Sequence, residues 1–348
     1  MTMAVTIKDV ARVANVAPST VSRVIADSPR ISEKTKKRVR QVMVELGYHP
    51  NLIARSLANQ STQTIGIVFP NSGDLAFQNP FFSEVLRGIS EGLREKHYVL
   101  QMTTGKSDEE IFDDVVKMVQ GKRVDGIILL YSKVSDPVTD FLLENDFPFV
   151  VIGKPDERAE QITHVDNDNV TAALDGTNHL LHLGHKRIGF IGGNKQLMVT
   201  LNRLEGYKKA LIDANIPILD DYIIHEEFLL EGGQEAVKEL MTLQSPPTAL
   251  LVADDLMSLG VLRTIHGMGL NVPKDLSIVS FNNALFAQLA SPPLTSIDIH
   301  ILELGIEAVK HLIARIENRK EPVKRIIIPY EIIVRSSCGP YVEKSIES

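Results

Sequence analysis

The sequence predicts two parts of different class: a small all-α helix-turn-helix headpiece at the N-terminus and a larger α/β body built of open parallel sheets. Three observations carry this. Apolar residues between Thr6 and Val24 recur at helical spacing on both sides of a short turn. Beyond Thr64, short and nearly continuous apolar runs alternate with amphipathic stretches. Charge divides the same way: residues 1–60 hold ten Lys and Arg against four Asp and Glu, the remainder 27 against 40, so a net of +6 is followed by −13 within a 348-residue chain of net −7. A small basic module on an acidic body fits a phosphate-holding head attached to a part with another task.

In chain order, Thr6 to Val24 (TIKDVARVANVAPSTVSRV) reads as two short helices. Ile7, Val10, Ala14, Val16, Val21 and Val24 supply the inner faces, and Ala11 allows close approach. Thr6 is placed to cap the first helix, and Asn15 falls where the turn needs a residue tolerant of the left-handed region. Pro18 and Ser19 open the second helix, which would present Ser19, Thr20, Ser22 and Arg23 outward. Short hydrogen-bonding groups with one Arg suit the major groove, where Arg pairs bidentately with guanine. A third helix runs from Ser32 to Leu46, with Val39, Val42, Met43 and Leu46 as its apolar face and Lys34, Lys36, Lys37, Arg38 and Arg40 around it, part of that basic run serving phosphate contact. Gly47 ends it. Asn51 can cap a short helix, LIARSLA, before the polar linker NQSTQT.

Strands are then predicted at 64–69, 98–102, 125–130, 148–153, 187–192, 248–253 and 276–281. Helices are predicted at 80–96, 108–120, 168–183, 200–214, 230–244, 254–267 and 301–319. The pattern restarts, RIGFIGG echoing TIGIVFP, so two sheets are expected. Ligands of such sheets bind outside the carboxyl ends of the strands.

The single cysteine, Cys338, fits a reducing compartment, and no run reaches the roughly 20 apolar residues that span a bilayer. The start has no secretory pattern, so a cytoplasmic protein is expected, associated with the nucleoid when on DNA. His179, His182 and His185 recur every three residues, which reads as a helix C-terminus ended by Gly184 rather than as metal ligands. GFIGGN lacks the spacing of a phosphate loop. No nucleophile, base or cofactor motif emerges, so the expectation is no catalysis, no metal and no cofactor.

The N-terminal motif, together with ISEKTKKRV and GYHPNLIARSLA, closely resembles the headpiece and hinge of the lac repressor (LacI/GalR) family. NPFFSEVLRGI, DGIILL, VDNDN, HLLHLGHKRIGFIGG, NRLEGYKKAL, ALLVADDLMSLG and PPLTSIDI follow in that family's order, to about Arg335 and Ser336. Asn15 stands where the family most often has Gly. The resemblance implies DNA contacts at Pro18, Ser19, Thr20, Ser22 and Arg23, with Arg30 near DNA and Thr6 in the same DNA-facing set. It implies a hinge helix from Asn51 to Ala58 whose paired copies enter the minor groove of a palindrome, Leu57 wedging into the central step and Ala54 facing the same groove.

The implied body is a type I periplasmic-binding-protein-like core with two parallel-sheet subdomains and three crossovers. The implied division is a headpiece 1–50, a hinge and linker 51–62, a core 63–340 and a tail 341–348. Within the core the N-subdomain takes 63–163 plus 297–325, and the C-subdomain 164–296 plus 326–340. No leucine heptad follows Pro340, so the likeness implies a homodimer.

Physical reading and resemblance together place an effector site at four strand ends. Asn79 caps a helix there, and Phe81 or Phe82 faces the cleft while the other packs. Arg203 grips hydroxyls, Asp254 contacts ligand while Asp255 caps the helix, and Asn282 holds a neutral hydroxyl in either sense. Lys154 is a further candidate. FNN, VVIGKP and VDNDN look most like regulators of maltose and maltodextrin utilisation. The expected function is a repressor of a carbohydrate operon, held on double-stranded palindromic DNA and released by a sugar, with no membrane partner. Alternatives are a catabolite-control regulator using a phosphorylated carrier protein, and a sugar transport protein or enzyme on the same body.

Overall fold

A computed structural model describes residues 5–25, 27–48, 61–70, 73–94 and 96–343. The chain divides into two compact units at Thr62 and Gln63. The expected hinge residues Asn51, Ala54 and Leu57 lie outside the described residues.

The first unit holds α1 (Ile7–Val13), α2 (Pro18–Ile25) and α3 (Glu33–Glu45) around Val10, Ala11, Ala14, Val21, Val24, Val39 and Val42. Each helix end has a local cause. Thr6 donates from its N–H and hydroxyl to the Asp9 carboxylate, at 3.1 and 2.7 Å, which starts α1. Asn15 takes φ 51° and turns the chain into α2. Ser32 accepts the Thr35 N–H to cap α3. Gly47, at φ 62°, closes α3 with Tyr48 N–H on the Met43 carbonyl and its own N–H on Val44, the paired pattern of a glycine-terminated helix.

The second unit contains β1 (Thr64–Val68), β2 (Val99–Met102), β3 (Gly126–Leu129), β4 (Phe149–Ile152), β5 (His164–Asp166), β6 (Ile188–Gly192), β7 (Ile223–His225), β8 (Ala249–Val252), β9 (Ser277–Phe281), β10 (Thr295–Asp298), β11 (Arg325–Ile327) and β12 (Glu331–Ile333). Its helices are α4 (Gly73–Ala76), α5 (Pro80–Leu93), α6 (Asp108–Gln120), α7 (Pro137–Glu144), α8 (Asn169–His182), α9 (Met198–Asp213), α10 (Leu230–Met241), α11 (Asp255–Gly267), α12 (Leu285–Leu289) and α13 (Ile301–Glu317). One sheet runs β11-β5-β4-β3-β1-β2, the other β12-β10-β9-β8-β6-β7. All pairings are parallel except β10 with β12. That exception has a topological reason. β12 follows β11 directly, so it enters the second sheet from the end at which β11 leaves the first and must run the other way.

The chain crosses between the lobes after β5, after β10 and after β11. β5 pairs with β4 and β11, so His164–Asp166 belongs to the first sheet and the crossover falls a few residues beyond the expected 163/164 boundary. Likewise β10 lies in the second sheet through Asp298, and β11 in the first through Ile327. Asn167 ties the three crossings together: its buried amide donates to the carbonyls of Ile299 and Ile328, both at 3.0 Å. On the first lobe α13 packs against α5 and the sheet. A Cβ on Gly88 would lie 2.1 Å from the Leu302 carbonyl oxygen, so glycine is what lets these helices cross so closely.

Candidate functional sites

In the headpiece, the outward side of α2 is as the spacing predicts. Pro18, Ser19, Ser22 and Arg23 are exposed, Thr20 is half-buried, and Val21 and Val24 point into the core. Arg23 makes no side-chain hydrogen bond or ion pair with any described residue, so its guanidinium is available to an outside partner. Arg30 and Thr6 are exposed too, although Thr6 is engaged with Asp9. The basic run on α3 splits. Lys36 is buried, bonded to Asp27 and Glu33 at 3.1 and 3.0 Å, and Arg40 shares Asp27. These two cations hold the loop before α3, whereas Lys34, Lys37 and Arg38 stay exposed.

In the second unit, a cleft with about 1040 Å³ of empty space, its open mouth included, lies at the carboxyl ends of both sheets. Asn79, Phe81, Phe82, Lys154, Arg203, Asp254 and Asn282 all line it. Two helices begin there. Asn79 caps α5 by accepting the Phe81 N–H at 2.9 Å, and Asp254 caps α11 by accepting the Leu256 N–H at 2.7 Å. The caps meet across the cleft: the other Asp254 oxygen accepts from the side-chain amides of Asn79 at 2.9 Å and Asn282 at 2.8 Å. Arg203 is buried beside them. Its Nε donates to Asn169 Oδ1 at 2.9 Å and its Nη1 to the Ala253 carbonyl at 2.6 Å, while the guanidinium stacks 3.9 Å from the centre of the Phe281 ring. Phe81 and Phe82 both face the cleft, packed edge to face, and Phe82 also leans on the core Phe69. Lys154 is exposed at the rim.

Burial dominates the electrostatics. It raises the Asp254 carboxyl, opposed by the Asn79 amide and the Leu256 N–H, and it raises Asp166, whose oxygen accepts from Asn169 at 3.0 Å, to about 6. It lowers Arg203 to about 10 against the pull of Asp254, Asp166 and Asp255. The guanidinium therefore remains charged at neutral pH and balances the acids around it.

Asp255 does not cap α11; the residue before the first helical position does, which is Asp254. Asp255 is buried and accepts instead from the Ser296 hydroxyl at 2.8 Å and the Ala284 N–H at 2.7 Å. It thereby fixes a turn in which Asn282 and Asn283 take φ 101° and 50°, and Arg335 and Asp298 clamp the Asn283 amide. The three histidines do not converge. His185 is turned into the core on Thr248, Ser277 and Gly339, while His182 is exposed. Among the described residues no group of three His, Cys, Asp or Glu could hold a metal, and no helix is long and apolar enough to cross a membrane.

The cleft also contains Asp166, Asn167, Asn169, Glu227 and Phe228, which the sequence reading did not select. Phe228 packs against the backbone after β6, where a Cβ on Gly193 would fall 2.3 Å from its ring. The aromatic wall, the two amides and the acid-rich rim can stack on and hydrogen-bond a polyhydroxylated ring.

Comparison with known proteins joins the two units. Residues 6–51 match the bacterial regulatory proteins of the lacI family, and residues 177–338 match a periplasmic binding protein-like domain. The HTH-type transcriptional regulator MalR of Streptococcus pneumoniae is 44% identical over 335 residues, covering 95% of this chain and 99% of that protein. Among solved structures, the lac repressor dimer bound to operator and an anti-inducer superposes with a TM-score of 0.84 at 26% identity, covering 97% of this chain and 99% of that one. A complex of the regulator CelR with cellobiose superposes at 0.75 with 30% identity, covering 96% of this chain and 99% of that one.

Proposed function

The chain belongs to the LacI family of DNA-binding transcriptional repressors, and we propose that it governs a maltose or maltodextrin operon as a homodimer on a palindromic operator. The sugar, bound in the cleft of the second unit, releases the DNA. In this reading the protein works in the cytoplasm, on the nucleoid when bound to its operator, with Arg23 and the polar face of α2 reading bases. Arg30 and the expected hinge positions Asn51, Ala54 and Leu57 add to the DNA contact. Asn79, Phe81, Phe82, Lys154, Arg203, Asp254 and Asn282 hold the effector.

One observation supports the sugar reading above others: seven residues from five separated segments line a single cleft in which amides and acids, two of them capping helix starts, predominate among the polar groups. Asp166, Asp254 and Glu227 outnumber Arg203 and Lys154 there. A phosphorylated ligand would add two negative charges to an acid-rich site, which favours a neutral sugar. A solved relative described as a probable maltose operon transcriptional repressor agrees with that choice.

The test is fluorescence anisotropy of the full chain on a labelled palindromic site from its own upstream region, titrated with maltose, maltotriose and glucose 6-phosphate. Release by maltose or maltotriose is expected. Release by the phosphorylated sugar alone would overturn the neutral-ligand reading, and tight binding that no sugar disturbs would replace the effector with a protein corepressor.

A further inference from the structure

Besides the three crossover segments, the lobes of the second unit touch through backbone at the cleft rim. After β3, residues 132–134 run antiparallel to residues 196–198, with Lys133 bridged to Leu197. Met198 N–H donates to the Ser132 carbonyl at 3.0 Å, and Val134 N–H donates to the Gln196 carbonyl at 2.9 Å. Both sides are anchored. In the first lobe Lys133 Nζ reaches Asp108 at 2.6 Å at the start of α6 and lies 5.2 Å from the centre of the Tyr131 ring. In the second, Asn194 accepts the N–H of Gln196 on its side chain and that of Leu197 on its carbonyl. Ser132 and Leu197 themselves line the cleft.

The bridge has a second consequence. Met198 is the first residue of α9, the helix that carries Asn202 and Arg203, and Leu197 before it offers no side-chain cap. Helix starts leave N–H groups without internal partners, and such groups need an acceptor. Here the acceptor of the Met198 N–H comes from the opposite lobe. We propose that this peptide bridge is a closure latch, which locks the lobes over a bound effector by capping the helix that carries the effector-facing Arg203. The proposal rests on the reading of the cleft as an effector site. Because both bonds are between main chains, ordinary side-chain replacements leave the latch in place, and proline is what removes a donor.

Met198→Pro is therefore the decisive change. Proline suits the first position of a helix, and Leu197, at φ −86° and ψ 127°, already has the extended backbone required before proline. Met198→Ala, which keeps the N–H, is the control. Two readouts are taken on the full chain: amide exchange at Val134, and maltose binding by calorimetry. In Met198→Pro, Val134 should exchange several-fold faster than in Met198→Ala. Maltose should bind about three- to tenfold more weakly, the size of one net hydrogen bond.

Unchanged Val134 protection overturns the latch. Faster exchange with equal maltose affinity overturns it as well, since the bridge would then lock nothing. If no form binds maltose yet Val134 exchange still accelerates on Met198→Pro, the latch stands and the sugar assignment fails.

Discussion

The outward side of α2 and the cleft of the second unit deploy polar groups in opposite ways. On α2 they are exposed and come from one continuous stretch. In the cleft most of them are buried, with Asn79, Asp254 and Asn282 bonded to one another across two lobes, and they are drawn from segments scattered between Asn79 and Asn282. A group of the first kind acts only when its partner arrives, so its removal should affect binding alone. One of the second kind also holds the fold, and removing it should disturb stability and response together.

Arg203→Ala is the largest expected departure. It strands Asn169 Oδ1 and the Ala253 carbonyl, and leaves Asp166 and Asp254 without their compensating charge. Breaking a buried charge arrangement of this kind costs about 3–5 kcal/mol. Urea denaturation should show that loss, and anisotropy at a temperature where the protein is folded should show operator binding retained with no release by sugar. Normal release would place Arg203 outside the effector site. Arg23→Ala should do the reverse. Operator affinity should fall by about 1–3 kcal/mol with relaxed base preference, while denaturation stays within about 0.5 kcal/mol and sugar binding persists. A stability loss as large as that of Arg203→Ala would erase the contrast.

The same contrast governs what could be read in the sequence. The headpiece was legible because each of its signals acts locally: the Thr6 cap, left-handed Asn15, the Ser32 cap and Gly47 all sit where spacing put them. In the body, the seven strands that read as continuous apolar runs are all present. β5, β7, β10, β11 and β12 were missed. Each has only three or four residues, and HVD, IIH, TSID, RII and EII carry polar groups that neighbouring strands make tolerable. The cost fell on the site. Asp166 closes β5 and Asn167 follows it, Asn169 opens α8 just beyond, and Glu227 and Phe228 follow β7, so these missed cleft residues stand at or just after missed strands. Arg203, Asp254 and Asn282 were found because the strands before them were.

Asn167 sharpens the comparison, since it is both in the cleft and at the crossings. Replacing it by Leu leaves the buried carbonyls of Ile299 and Ile328 without their donor. A loss of about 1–3 kcal/mol is expected in urea denaturation. No loss would mean that other donors reach those carbonyls and that the crossings are held by packing alone.

The smallest effect concerns Asp255, which touches no ligand position yet fixes the turn bearing Asn282. Burial lifts its carboxyl to about 7 from an ordinary 3.8, opposed by the Ser280 and Ser296 hydroxyls and reinforced by the neighbouring Asp254 charge. Between about pH 4 and 7 the folded protein thus keeps a proton that the unfolded chain has released. Stability from this group is greatest at the acid end, falls as pH rises through 7 and then levels. Asp166 acts in the same sense up to about 6. Asp9, Asp27 and Glu321 are held below their ordinary values, so their contribution is lost only at lower pH, outside this window. Asp255→Asn keeps an acceptor for the Ala284 N–H, and its NH2 can donate to a reoriented Ser296 hydroxyl, so the turn survives without the titration. From pH 6 to pH 7 the parent should lose about 1 kcal/mol that the variant does not. Parallel denaturation curves at the two pH values would show it. A variant that keeps the full slope would move the titration to another acid and leave the strained turn dependent on hydrogen-bond geometry, not on charge.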